Sequence, residues 1–287
     1  MLKIIVLVAL AMTAFAANSI FTRLAIGAGQ IDAAGFSGIR LLSGATTLVI
    51  LLALTGRAIP LTANLGNQTR WTTAAALLVY AVPFSFSYVL LGAGTGALIL
   101  FATVQLSMFA WAVYKGDRPA PMAMLGMTIA LGASAYLVSP GLSAPDPLGA
   151  ILMVTAGMAW AVYSLLGRGS TEPLTDTALN FVFLTPVAAL LCMVSLRGGA
   201  PSLTGVGWAI ASGALASGIG YAIWYKALPH LTRTRAAAVQ LSVPVIAAAG
   251  GILFIGEVLT LRLAISSVLI LGGLAMAIAA SGKPAAR

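Results

Sequence analysis

Cut at its charged residues and at its clusters of proline and glycine, this 287-residue chain falls into ten apolar segments. They lie at about 3–23, 34–55, 71–91, 95–115, 121–139, 147–167, 177–196, 203–226, 235–255 and 262–281. A helix of about 20 apolar residues, rising ~1.5 Å per residue, crosses the ~30 Å hydrocarbon core of a bilayer. Helices are the form to expect, because lipid offers no hydrogen-bond partner to an unpaired backbone group. Only 7% of the residues are charged and 60% are hydrophobic, whereas a soluble domain carries roughly 25% charged residues. The expected fold class is therefore all-α integral membrane, with ten transmembrane helices. The longest connection, about 56–70, holds Arg57, Pro60, Asn64 and Arg70; none is long enough for a separate soluble domain.

The net charge of +9 invites a nucleic-acid partner, but the basic residues are scattered and form no patch. They sort by side instead. With the N-terminus inside, one face carries Lys3, Arg57, Arg70, Lys115, Arg118, Arg168, Lys226, Arg233, Arg235, Lys283 and Arg287, and the other carries Arg23, Arg40, Arg197 and Arg262. An excess of Lys and Arg marks cytoplasmic loops, so both termini are expected in the cytoplasm, in a multi-pass protein of the inner (cytoplasmic) membrane. Lys3, the following apolar run and Ala14-Phe15-Ala16 imitate a signal peptide. The stretch from Phe15 to Arg23 nevertheless aligns with Trp160 to Arg168 in mid-chain, where no signal peptidase acts, so the first helix is expected to be retained. The single Cys192 allows no disulfide framework.

Two tetrapeptides are identical: Val104-Gln105-Leu106-Ser107 and Val239-Gln240-Leu241-Ser242, 135 residues apart. The likeness extends piecewise along the chain. The first two segments align with the sixth and seventh, pairing Arg23 with Arg168 and Phe36 with Phe181. The third aligns with the eighth, pairing Trp71 with Trp208, Phe84 with Tyr221 and Tyr88 with Tyr225. Gly116-Asp117 answers Gly256-Glu257. These correspondences divide the chain into a repeat of five helices over 1–141 and a second over 142–287. Five is odd, so the second repeat runs upside down relative to the first. Inverted repeats around a central cavity are an architecture of secondary transporters, with the substrate held near the midplane.

Several stretches resemble the EamA-type members of the drug/metabolite transporter superfamily. Gly38-Ile39-Arg40-Leu41-Leu42-Ser43-Gly44-Ala45 is similar to that family's Arg-bearing second helix. Leu253-Phe254-Ile255-Gly256-Glu257-Val258-Leu259-Thr260, followed by Leu269-Ile270-Leu271-Gly272-Gly273, resembles its Gly-Glu motif and last helix, and Val243-Pro244 its ninth-helix proline. Phe109 stands where the first half would repeat Pro244, so the halves differ around the site. Within the family the likeness is to the YddG-type exporters of aromatic amino acids. The resemblance implies peripheral fifth and tenth helices, a cavity enclosed by the others, and export of amino acids or related small metabolites by alternating access. A general drug or metabolite efflux carrier is the other reading it leaves open.

Gln105 and Gln240 lie well inside apolar segments. A primary amide in hydrocarbon needs a partner, so each either bonds a neighbouring helix or holds the polar end of a substrate. Pro244 removes the N–H that the Gln240 carbonyl would accept, leaving both polar ends of that residue in need of partners. Pro83 and Pro186 do the same to the carbonyls of Val79 and Val182. Tyr80, Phe84 and Tyr88 share one helical face, Tyr221 and Tyr225 repeat it, and Trp160, Tyr163, Phe101 and Trp111 are candidates for the same wall. Such a wall suits an aromatic or branched apolar substrate, although aromatic residues also pack helices and anchor at interfaces. Asn18, Ser19 and Ser164 are polar positions that would reach the cavity. Arg40 lies two turns from a helix end, from where it either snorkels to the headgroups or attracts a substrate carboxylate. Glu257 and Asp117 read as turns or caps.

No carboxylate falls near the middle of a segment, and the one histidine, His230, lies beside Arg233 and Arg235 in a connection. The expected carrier is accordingly driven by the metabolite gradient, without obligatory proton coupling. No cofactor, no metal and no Walker-type phosphate loop is expected. A membrane-embedded enzyme would need a nucleophile with a base, or a metal site, so no enzymatic activity is expected. The expected partners are the lipid bilayer and a small-molecule substrate, with the protein a monomer or homodimer.

Overall fold

The structure is a computed structural model and describes residues 2–57, 66–141, 143–168 and 170–281, without the side chains of Arg233, Thr234 and Ser281. Pro60 and Asn64 of the longest connection, Lys283 and Arg287 of the basic set, and the boundary residue 142 lie outside the described residues.

Helices account for every expected segment. They are α1 (Leu2–Ile26), α2 (Ala33–Leu54), α3 (Gln68–Leu90), α4 (Ala93–Tyr114), α5 (Pro121–Val138) and α6 (Pro147–Leu166). Next comes α7, whose two legs, Pro173–Phe183 and Thr185–Leu196, meet at an angle of 44°. A longer helix, α8 (Leu203–His230), contains a π-helical stretch, Ser212–Ile219. Two legs, Arg233–Gln240 and Ser242–Gly250, form α9, which finishes in a π-helical turn, Gly251–Ile255. The last helix is α10 (Leu261–Ser281).

The chain marks these boundaries locally. Asp32 caps α2 by accepting from the amides of Ala34 at 2.8 Å and Gly35 at 2.9 Å, and Asp146 caps α6 through Gly149 N–H at 2.9 Å. Both carboxylates satisfy donors that the first helical turn leaves free. Pro121, Pro147 and Pro173 begin their helices, a position where the missing N–H costs nothing. Pro186 bends α7 as the sequence predicts, and the carbonyl it frees, that of Val182, accepts from the Thr185 hydroxyl at 2.8 Å. Pro244 interrupts α9 at Leu241, with the Ser242 hydroxyl donating to the Val239 carbonyl at 2.7 Å.

Contacts between helix ends show that successive helices run in opposite directions. Arg23, at the end of α1, donates to the Tyr88 carbonyl near the end of α3 and pairs with Glu257 just beyond α9. Glu257 in turn meets the start of α4. At the opposite end of the bundle Arg70, near the start of α3, pairs with Asp176 in the first turn of α7 at 2.5 Å. As the family resemblance implies, α5 is peripheral and packs chiefly on α10. Large apolar side chains such as Leu203, Leu253 and Phe254 cover the outside, as a lipid-facing surface requires. The polar and aromatic centre lies between α2, α3, α6 and α8.

Candidate functional site

Arg40 stands at that centre. It is seven residues into α2, so its Cα is ~10 Å from the start of the helix. The guanidinium turns inward and not to the headgroups: Arg40 is only 2% exposed, which corrects the snorkelling expectation. Its way out is filled by side chains from other helices, a fact no local reading of α2 contains. Nη2 donates to the Tyr80 hydroxyl at 3.1 Å, and the guanidinium carbon lies 4.8 Å from the Phe84 ring centre and 5.4 Å from that of Tyr80. Nη1 is buried with no hydrogen-bond partner.

That arrangement is electrostatically incomplete. Desolvating a cation costs several kcal/mol, and a desolvated cation–π contact returns ~2 kcal/mol. A counter-charge would close the gap, yet the six acidic side chains of the chain are all at helix ends. Asp32 caps α2 and accepts from the Ser195 hydroxyl; Asp146 caps α6; Asp176 pairs with Arg70; and Glu257 pairs with Arg23. Asp117 and Glu172 are exposed beyond α4 and before α7. What Arg40 lacks is an anion.

Around it the predicted aromatic faces meet in one continuous cluster. Phe84 packs edge-on to Tyr88 at 4.9 Å and tilted on Tyr80 at 5.5 Å; Tyr80 touches Trp160 at 4.6 Å. Trp160 stacks on Tyr163 at 5.2 Å and on Tyr221 at 5.8 Å, and Tyr221 stacks on Tyr225 at 6.2 Å. These rings come from α3 in the first half and from α6 and α8 in the second, with Arg40 of α2 beside them. The rings are in contact, so the centre is closed around them. Aromatic faces of this kind pack on flat or branched apolar groups, at ~0.5–1.5 kcal/mol for each aromatic pair beyond area burial.

Both ends of the ring chain finish in polar structure. Beyond Tyr88 stand Arg23 and Glu257, the latter accepting from the amides of Ala93 at 2.7 Å and Gly94 at 3.4 Å. At the other end the Thr177 hydroxyl lies 2.9 Å from that of Tyr225 and accepts from Tyr163 at 3.4 Å. Asn180 donates to the Tyr163 hydroxyl at 3.4 Å, and its own Oδ1 is buried without a partner.

Other predicted residues lie apart from this cluster. The Asn18 carbonyl oxygen of the side chain accepts from the Ser212 hydroxyl at 2.8 Å, tying α1 to the π-helical stretch of α8. Gln105 and Gln240 are half-buried, and neither side chain makes a hydrogen bond among the described residues. Gly94 packs on Ala248, and from that antiparallel contact the two glutamines fall within about one helical turn of the same level. Ser164 is half-buried on α6. Trp111 is 42% exposed, with the Lys115 ammonium 4.8 Å from its ring, so it is an outer anchor and not part of the wall. Gly116 and Gly256 both adopt left-handed backbone, at φ 96° and 73°, but only Glu257 reaches a partner helix.

Sequence reasoning missed the π-helical stretch of α8, which packs against α2 at Arg40. A side chain at Gly213 would overlap the Arg40 carbonyl and the Ser43 hydroxyl. The run Ser212-Gly213-Ala214, with Gly218 and Gly220 beyond it, was the available signal, since small residues permit such an approach. Phe15 and Phe181, each in ring contact with Tyr221 at 5.6 and 6.3 Å, were also missed, as was Thr177. These pairings are long-range and leave no local pattern.

Residues 147–279 match the EamA-like transporter family. The chain is 47% identical over 285 residues to an uncharacterized protein of Pseudomonas aeruginosa, covering 99% of this chain and 98% of that one. It is 27% identical over 254 residues to an uncharacterized transporter of Archaeoglobus fulgidus, covering 84% and 86% of the two chains. A protein of solved crystal structure shares the fold, with TM-score 0.64 and 16% identity over 95% of this chain and 97% of its own.

Proposed function

The chain carries an EamA-like transporter domain over residues 147–279, and from that premise we propose that it is a secondary carrier exporting amino acids, aromatic or otherwise apolar, or related small metabolites. The observation that carries this reading is Arg40, a buried guanidinium with a free Nη1 on the rings of Tyr80 and Phe84, which continue through Trp160 into rings of the second half. A carboxylate would take the guanidinium and an apolar body the rings. The two halves, 1–141 and 142–287, act as inverted five-helix repeats and exchange inward- and outward-open arrangements. The ion pairs Arg23–Glu257 and Arg70–Asp176 close opposite ends of the bundle in the occluded form. Both termini are cytoplasmic, in the inner membrane.

Transport runs down the metabolite gradient without obligatory proton coupling, which the placement of all six carboxylates at helix ends supports. The test is counterflow and efflux of preloaded Phe, Trp, Thr and Met from proteoliposomes, with and without a pH gradient. Saturable counterflow of Phe and Trp, indifferent to the gradient, is the expected result. Strong acceleration by the gradient would overturn the uncoupled mechanism, and no movement of any amino acid would favour a general drug or metabolite carrier.

A further inference from the structure

We infer that the Arg40 site selects organic monocarboxylates with an aromatic or branched apolar body, and that an α-amino group weakens binding. The inference rests on the reading of Arg40 as the anchor of the carried molecule and specifies the charge of what it holds.

Arg40 is buried with one Nη unpaired, so the site presents one uncompensated positive charge. A monocarboxylate brings it to neutrality with charge-assisted, fork-like hydrogen bonds, the strong kind for arginine. A zwitterion does not leave the site equally well served. Once its carboxylate is seated, its ammonium lies within about 5 Å of the guanidinium, where repulsion is poorly screened in a water-excluded centre.

That ammonium would also need acceptors. The Tyr80 hydroxyl already receives Nη2, and the Ser43 hydroxyl is turned to the Arg40 carbonyl at 3.3 Å. Tyr163 and Tyr225 share their hydroxyls with Thr177. Each of the six carboxylates stands at a helix end, and the two beyond the ends of the ring chain, Glu257 and Asp176, are already paired with Arg23 and Arg70. Gln240 is on the first leg of α9, which packs on α1 and α10. The buried Asn180 Oδ1, an acceptor without a partner, stands at the Tyr163 end of the ring contacts, with Trp160 and Tyr80 between it and Arg40. The ring faces attract cations less strongly than a carboxylate does, with Arg40 already on two of them. A buried polar group left unpaired discriminates strongly against the ligand that brings it.

Three ligands with one body separate the possibilities: 3-phenylpropanoate, L-phenylalanine and 2-phenylethylamine. Their binding to the full chain in lipid nanodiscs is read by quenching of tryptophan fluorescence, since Trp160 lines the site, and by calorimetry. The expected order is 3-phenylpropanoate tighter than phenylalanine by at least about tenfold, with phenylethylamine not bound. Arg40→Gln should abolish binding of the carboxylates while remaining monodisperse, and Arg40→Lys should weaken it by losing the fork.

Phenylalanine binding as tightly as, or more tightly than, 3-phenylpropanoate, with both lost in Arg40→Gln, would overturn the monoanion inference and leave the amino-acid carrier standing. Carboxylate binding that survives in Arg40→Gln would overturn Arg40 as anchor. If the folded wild type binds none of the three, the inference fails, and the counterflow assay then decides the carrier reading on its own.

Discussion

Arg23 and Glu257, separated by more than 230 residues of chain, stand with Nε 3.7 Å from a carboxylate oxygen. Glu257 serves the start of α4 at the same time, and Arg23 holds the Tyr88 carbonyl at 3.0 Å. One carboxylate thus fastens the ends of α1, α3, α4 and α9 at one end of the bundle. Glu257→Gln keeps an acceptor for Ala93 but removes the charge that strengthens both the cap and the pair. A loss of about 1–2 kcal/mol is expected, read as a lower thermal midpoint in detergent. An unchanged midpoint would mean the contact is ornamental.

Arg40 predicts the opposite sign. Replacing a buried, incompletely paired charge by an apolar residue of similar length is commonly neutral or stabilising by about 1–4 kcal/mol. Arg40→Met should therefore unfold no earlier than wild type while its carrier flux falls at least about tenfold. A variant that unfolds well below wild type would show that the resting protein already supplies Arg40 with an anion.

How far the sequence foretold these features depends on their range. Ten helices, the break at Pro186 and the break at Pro244 follow from segment length and from a missing N–H, both local properties. The aromatic face Tyr80, Phe84 and Tyr88 was legible from helical spacing, and so was the turn at Gly256. The burial of Arg40 was not, because two turns from a helix end a cation is free to reach headgroups unless other helices stand in the way. Phe84, Tyr80 and the π-helical stretch at Gly213 stand there. Asp32 with Ser195, and Arg70 with Asp176, join residues with no relation along the chain.

Asp32 gives a dependence on pH. Burial raises its pKa, but hydrogen bonds from the Ser195 hydroxyl and the amides of Gly35 and Ala34 outweigh that and hold it below the usual carboxylate value. A depressed folded pKa stabilises the fold above the unfolded value, ~3.9, and that contribution is lost as pH falls through the folded pKa. Ser195→Ala removes one of the lowering bonds. The variant should be less stable than wild type at neutral pH, with a shallower decline on acidification, so that the thermal midpoints converge as pH falls through the folded pKa of Asp32. Parallel curves would show that Ser195 does not act through the Asp32 charge.

The repeated glutamines part company at the proline. Gln105 lies in the unbroken α4, where its carbonyl keeps the helical partner four residues on. Gln240 is the last residue of the first leg of α9, ahead of Leu241 and Pro244, so its carbonyl has lost that partner and its half-buried side chain has no hydrogen bond among the described residues. A substrate or a water in a wet pathway would satisfy both groups, and the break gives the second leg freedom to swing. Gln240→Leu should thus cut flux by at least about tenfold with expression and thermal midpoint intact, since leucine suits the apolar setting and only the unpaired amide is removed. Gln105→Leu should cost much less. Flux that survives Gln240→Leu would reduce the glutamine to a packing role and leave Arg40 with the rings as the whole of the site.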